Sequence, residues 1–172
     1  MNGIILYGTR YGSAKQYADE LCRRTGMACV SYETTSDLSA YDRIVYIGSL
    51  YAGGVLGMAS TLGKLKHWES KQLVIATVWL ADTTDKENVQ NIRKAMLRQL
   101  PVGMMEYAKI VHLRGGIDYS RLTMKHKLMM SLHYNKAKSL PLEKKTAEVR
   151  AMIDTYGQVV NFVDLSRVEE LM

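Results

Sequence analysis

Apolar positions along this chain alternate between two periods. Ile4-Ile5-Leu6-Tyr7 is a continuous apolar run that predicts a buried strand, and Gly8-Thr9-Arg10-Tyr11-Gly12-Ser13 behind it predicts a turn. Ala14, Tyr17, Ala18, Leu21 and Cys22 then recur at the spacing of one helix face that ends near Gly26. Residues 28–30 predict a second strand, residues 37–41 a brief helical turn, and residues 43–48 a third strand centred on Ile44-Val45-Tyr46-Ile47. A glycine-rich loop over residues 49–54 and a helix over about 57–67 are expected next, and Leu73-Val74-Ile75-Ala76-Thr77-Val78 is the fourth strand. Beyond the polar stretch 82–85, Val89, Ile92, Ala95, Met96 and Gln99 track one face of a helix over about 87–100. Residues 108–113 make the fifth strand, ended by Gly115-Gly116. A helix over 123–134 carries Met124, Leu128 and Leu132 on one stripe and Lys125, His126, Lys127 and His133 elsewhere. A last helix over about 146–163 is expected to turn Val149, Met152, Ile153, Tyr156, Val160 and Val163 inward and close the sheet.

Strands that read as unbroken apolar runs and alternate with helices indicate a parallel sheet covered on both faces. Right-handed crossovers reduce the topology to an α/β doubly wound three-layer sandwich. No repeat or linker interrupts it, so residues 1–172 are expected to form one domain, with residues 120–145 as an insertion before the last helix. With 47% hydrophobic and 23% charged residues, the composition excludes disorder and low-complexity classes. The longest apolar stretch, residues 73–81, is far short of the roughly 20 residues that a bilayer demands. No basic leader precedes the first apolar run, so a cytosolic location is the expectation.

Charge is unevenly placed. The net +6 is concentrated late in the chain: residues 111–150 hold nine Lys/Arg against three Asp/Glu, whereas residues 151–172 hold one against four. A basic cluster of this kind can meet nucleic acid, an anionic membrane or an acidic partner. Cys22 and Cys29 are the only cysteines and match no metal or redox spacing, so both read as reduced, mostly buried thiols. His67, His112, His126 and His133 lack metal-ligand spacing, and the last two read as residues of a solvated helix surface.

In open α/β sheets ligands bind beyond the carboxyl ends of the strands, where strand order reverses. Three segments leave such ends here: residues 8–13, 49–54 and 79–86. The first has the makings of a phosphate cradle. Gly8 and Gly12 let the backbone turn its amides inward, Thr9 and Ser13 add hydroxyls, Arg10 adds charge, and the next helix presents its N-terminus. An ordinary tight strand-to-helix turn would read the same way. Neither a P-loop nor a G-x-G-x-x-G pattern is present.

Residues 4–18, 41–53 and 77–81 resemble, in order and separation, the three FMN-binding loops of flavodoxins. Within that superfamily the chain is most similar to the flavodoxin-like menaquinone-dependent protoporphyrinogen IX dehydrogenases. The likeness rests on Thr9-Arg10-x-Gly12, on Gly115-Gly116-Ile117-Asp118-Tyr119-Ser120-Arg121-Leu122 and on the basic, methionine-rich stretch that follows. The resemblance implies a five-stranded parallel sheet of order 2-1-3-4-5 and FMN as cofactor. Thr9, Arg10, Tyr11, Gly12 and Ser13 would hold the phosphate. Ser49, Leu50, Tyr51, Ala52 and Gly53 would line one side of the isoalloxazine ring, and Val78, Trp79 and Leu80 the other. Tyr11 and Ala14 replace two threonines of the usual first loop, and Tyr51-Ala52 stands where the dehydrogenases tend to carry Arg-Tyr.

No side chain is required as acid or base by this reading, and no catalytic residue is assigned. Asp118 and Tyr119 are candidates to shape a substrate pocket, or else a polar-capped turn. The basic segment with Met124, Leu128, Met129, Met130 and Leu132 beside Lys125, Lys127, Lys136 and Lys138 can lie on an anionic bilayer. It can equally pack its methionines on the core, or form a dimer face. Nucleic acid is disfavoured because no aromatic residues interleave with the basic ones. The expected activity is an FMN-dependent oxidoreductase that passes electrons from an organic substrate to a quinone. The alternatives are a flavodoxin-type electron carrier and a flavin-less binding module. A pI near 9.3 speaks against the carrier, since flavodoxin carriers resemble one another in being acidic.

Overall fold

The computed structural model describes residues 2–34, 37–51 and 53–172. Five strands run parallel: β1 (Gly3–Gly8), β2 (Ala28–Ser31), β3 (Arg43–Tyr51), β5 (Gln72–Trp79) and β6 (Lys109–Arg114). They lie side by side in the order β2-β1-β3-β5-β6. The two-residue β4 (Gly54–Val55) folds back antiparallel on β3, pairing Leu50 with Val55, and its place in the chain shifts the numbering away from 2-1-3-4-5. The expected glycine-rich loop is thus the tip of a hairpin that prolongs β3.

Side chains on successive strand residues point to opposite faces, so each strand feeds two cores. On one face Ile4, Leu6, Ile44, Tyr46, Leu73 and Ile75 pack with Met58 and Leu62, with Ile92 and Met96 of α2 (Lys86–Leu97), and with Met104 and Met105 of α3 (Met104–Tyr107). The sequence pattern gave no sign of α3. On the other face Ile5, Val45, Ile47, Val74, Ala76 and Val111 meet Ala14, Tyr17, Ala18 and Leu21 of α1 (Ser13–Thr25). Gly26 ends α1 in the left-handed conformation and donates its N–H to the Cys22 carbonyl at 2.8 Å. Both thiols are free and half-buried, and burial pushes Cys29 up to about 11.

Several expected elements are corrected. Residues 57–67 form turns and a 3-10 segment (Leu62–Lys64), not an α-helix. Gly57 has φ +79°, and a Cβ on Gly63 would lie 2.5 Å from the Gln99 carbonyl oxygen, so close backbone approaches set this path. Met58 and Leu62 are both fully buried and four residues apart, which imitates a helix face in the sequence. Residues 37–41 contain no helix. There Asp37 instead accepts the N–H and hydroxyl of Ser39.

The last expected helix is shorter and elsewhere. The helix α5 (Ala147–Asp154) stops before Gly157, whose φ is +76°, and Val159–Asn161 becomes strand β8. Strand β8 pairs antiparallel with β7 (Gly116–Asp118), setting Ile117 against Val160. Neither α5 nor β8 closes the sheet. That role falls to a 3-10 segment, Leu165–Leu171, whose Val168 and Leu171 are fully buried beside α1. Tyr17 ties this segment in: its hydroxyl donates to the Arg114 carbonyl at 2.7 Å and accepts the Asp164 N–H at 2.9 Å. The helix α4 (Met124–Lys138) therefore belongs with β7, α5 and β8 to a separate layer, with its own small core of Ile117, Tyr119, Leu122 and Met130. Among the described residues no helix is long and apolar enough to cross a membrane.

Candidate functional site

Chain order around β1 fixes where a ligand can enter. From β1 the chain crosses to β2 on one side, and β3 lies on the other, so the segments that leave β1 and β3 diverge and open a crevice at their carboxyl ends. A cleft of about 410 Å³ lies there, a volume within the usual range for small-molecule sites. Its floor and sides come from the expected loops: Tyr11 and Ser13, then Ser49, Leu50, Tyr51 and Gly53, then Val78, Trp79 and Leu80. Gly115, Gly116 and Ile117 close one edge. Three of the other candidates, Thr9, Arg10 and Gly12, are not among the residues that line it, and Ala52 lies outside the described residues.

The first loop is built around Gly12, whose φ of +91° places it in the left-handed region at the cap of α1. Its N–H donates to Thr9 Oγ1 at 3.0 Å, which leaves the Thr9 hydroxyl proton free to be given. Ser13 is used differently from the expectation. Its Oγ accepts the Gly116 N–H at 2.9 Å and donates to the Gly116 carbonyl at 3.2 Å, so this hydroxyl fastens β7 instead of offering a donor. The first turn of α1 carries no acidic residue, and its leading amides have no intrahelical acceptor. An anion is favoured at such a helix start.

Arg10 is held by α4. Its Nε and Nη2 donate to His126 Nε2 at 3.1 and 2.5 Å, and His126 Nδ1 lies 3.0 Å from Thr123 Oγ1. The guanidinium also sits 5.3 Å from the centre of the Tyr51 ring, and His126 meets Tyr11 edge-on at 6.3 Å. Tyr51 in turn points its hydroxyl at Met129 sulfur, 3.9 Å away. His126 is therefore the residue that joins the first loop to α4, and not part of a solvated helix face. Nothing in the one-dimensional pattern links it to Arg10, 116 positions earlier.

A roof completes the cleft. Met129, Met130 and His133 of α4 and Glu148, Val149 and Met152 of α5 face the loops. None of these was expected in the site. Asp118 and Tyr119, which were, do not line it: Asp118 accepts the N–H and hydroxyl of Ser120 and so caps a turn, and Tyr119 is buried edge-on against Tyr156 at 5.3 Å.

The donor set suits a flat, phosphate-bearing flavin. Aromatic and aliphatic walls (Tyr11, Leu50, Tyr51, Val78, Trp79, Leu80) match a planar ring, and the α1 amides with Thr9 match a terminal phosphate. Trp79 lies on the wall, and its indole Nε1 is buried and has no hydrogen-bond partner among the described residues.

A flavoprotein from Lactobacillus acidophilus NCFM, solved in complex with FMN, is similar over 66% of this chain and 91% of its own, at 12% identity and a TM-score of 0.42. A mutant of flavodoxin from Pseudomonas aeruginosa is similar over 77% of this chain and 93% of its own, at 15% identity and a TM-score of 0.42. No curated protein sequence matches. The family model described as a flavodoxin domain matches residues 4–141, which take in the five parallel strands apart from Gly3, all three loops and α4. The chain belongs to the flavodoxin-domain family.

Proposed function

We propose that this protein is an FMN-dependent oxidoreductase that moves electrons from an organic substrate to a quinone-type acceptor. The observation that carries this reading is the roofed cleft: α4 and α5 enclose apolar space opposite the ring-binding loops. A diffusible electron carrier has no use for such a chamber, whereas an enzyme needs a dry room for a second molecule. The quinone assignment is supported by the methionine-rich roof and by the likeness of the loops to the quinone-linked dehydrogenases.

FMN bound here supplies one- and two-electron redox chemistry that the surrounding protein tunes. The chain's own residues divide the remaining work. The α1 amides and the Thr9 hydroxyl hold the phosphate, and Arg10 adds positive charge while it stacks on Tyr51. Tyr51 and Trp79 fix the ring plane, and aromatic contacts of this kind are worth about 0.5–1.5 kcal/mol beyond burial. Met129, Met130 and Met152 exclude water and adapt to the shape of a flat partner. The purified protein should be yellow with flavin near 1:1, and its reduced form should be reoxidised anaerobically by members of a quinone panel, with protoporphyrinogen IX tested as reductant. A colourless protein that ignores added FMN would sink the reading.

The outer face of α4 supports a peripheral membrane role. Met124, Leu128 and Leu132 are 80%, 64% and 63% exposed at successive turns, and Lys125, Lys127, Lys136 and Lys138 flank them. An anionic bilayer rewards both features, with about 1 kcal/mol per basic residue near its surface. Replacing the four lysines by glutamate should abolish sedimentation with phosphatidylserine vesicles without releasing FMN. Equal vesicle binding by mutant and parent discards the membrane role.

A further inference from the structure

Among the residues lining the cleft only Tyr11, Tyr51, His133 and Glu148 can gain or lose a proton, and none is a lysine or arginine despite the basic surroundings. Burial raises the Tyr11 phenol above its ordinary value, and Tyr51 directs its hydroxyl to Met129 sulfur. His133 and Glu148 remain. Both are exposed on one side and line the cleft on the other, so each reaches water and the chamber at once. Neither makes a hydrogen bond or ion pair with another described residue. The side chains of the roof other than Glu148 and His133 are Val149, Met152, Met129 and Met130, all apolar. The helix α2 also packs on α5, yet brings no charge to bear on Glu148.

We propose, on the reading given above, that Glu148 is the proton donor to a quinone-type acceptor seated beneath the roof. The acceptor must gain two electrons and two protons to become a hydroquinone. Two electrons and one proton come together from the reduced FMN, and the second proton leaves the Glu148 carboxyl for a quinone oxygen. Both C=O groups thereby become C–OH groups, and the carboxylate recovers its proton from water at the rim. Desolvation on its cleft side raises the Glu148 pKa above the ordinary carboxylate value. Its position in the first turn of α5 works the other way, favouring the anion, so the proton can also be surrendered.

The test uses FMN-loaded protein and menadione under anaerobic conditions. In Glu148→Gln, kcat for menadione reduction should fall by about 10²-fold or more with KM little changed, and its fall at high pH should disappear. Glu148→Asp should restore part of kcat. FMN affinity and circular dichroism should match the parent in both variants, which shows that they fold. Independently of turnover, an infrared pH titration should show a carboxylic-acid C=O band that ionises above the ordinary carboxylate range and is absent from Glu148→Gln. Parity of Glu148→Gln with an active parent, or no such band in the parent, overturns this inference alone. A parent that binds FMN but reduces no quinone overturns the acceptor assignment and this inference with it.

Discussion

Gln99 offers a sharp test of how the ring-binding hairpin is held. The strand β4 has only two residues, and Val55, which is buried, turns its backbone away from β3. Gln99 fills the missing place like a neighbouring peptide: its Oε1 accepts the Val55 N–H at 2.8 Å and its Nε2 donates to the Val55 carbonyl at 3.1 Å. In Gln99→Met the volume is kept and both bonds are lost, stranding two backbone groups. Each buried, unsatisfied group costs about 1–3 kcal/mol, and the half-buried setting favours the lower half, so the variant should lose about 2–4 kcal/mol. At about 2–4 °C per kcal/mol for a chain of this size, the melting temperature should drop by about 4–16 °C. Because Tyr51 ends β3 and Gly53 stands in the turn into β4, looser pairing should also weaken FMN binding by about tenfold, equivalent to about 1.4 kcal/mol. Calorimetry and flavin fluorescence titration measure the two effects. Gln99→Glu retains the acceptor and should fall between variant and parent. A Gln99→Met protein that melts within about 1 °C of the parent and binds FMN equally well refutes the clamp.

Two further outcomes are expected. Burial depresses His112 to about 4, while its Nδ1 lies 2.6 Å from Thr77 Oγ1, so between that value and the ordinary 6.5 the unfolded chain binds a proton that the folded chain rejects. Its contribution to stability is complete above about pH 6.5 and is lost as pH falls towards 4, by at most about 3 kcal/mol; urea midpoints across that window should slope less in His112→Gln, and identical slopes would count against the assignment. His126→Ala unlatches α4 from Arg10 and should speed FMN dissociation about tenfold in stopped-flow fluorescence with under about 1 kcal/mol of stability change; an unchanged off-rate means that the latch is idle.

The five parallel strands and α1 were legible because their signals are local: unbroken apolar runs, a change of period after Gly12, and a glycine where α1 ends. The three loops were legible for the same reason, since turn chemistry at strand ends is a short-range matter. Residues 57–67 misled because burial of Met58 and Leu62 at helical spacing does not need a helix. Residues 146–163 misled because an apolar period ran through Gly157 into the Val159-Val160 pair, where the backbone turns to join β7. On α4 both faces carry apolar residues, so periodicity could not say that Met130 is buried and that Met124, Leu128 and Leu132 face solvent.

Local chemistry along the chain, then, determined a parallel α/β sheet with a phosphate-ready turn after its first strand. Tertiary structure alone decided what covers that turn: the roof of α4 and α5, the reach of His126 to Arg10, the grip of Gln99 on Val55, and the arrival of Glu148 in the cleft. The physical reason is distance along the chain. A hydrogen bond between residues 44 or 116 positions apart leaves no mark in a window of a dozen residues, because either partner alone is an ordinary polar side chain on a helix or loop.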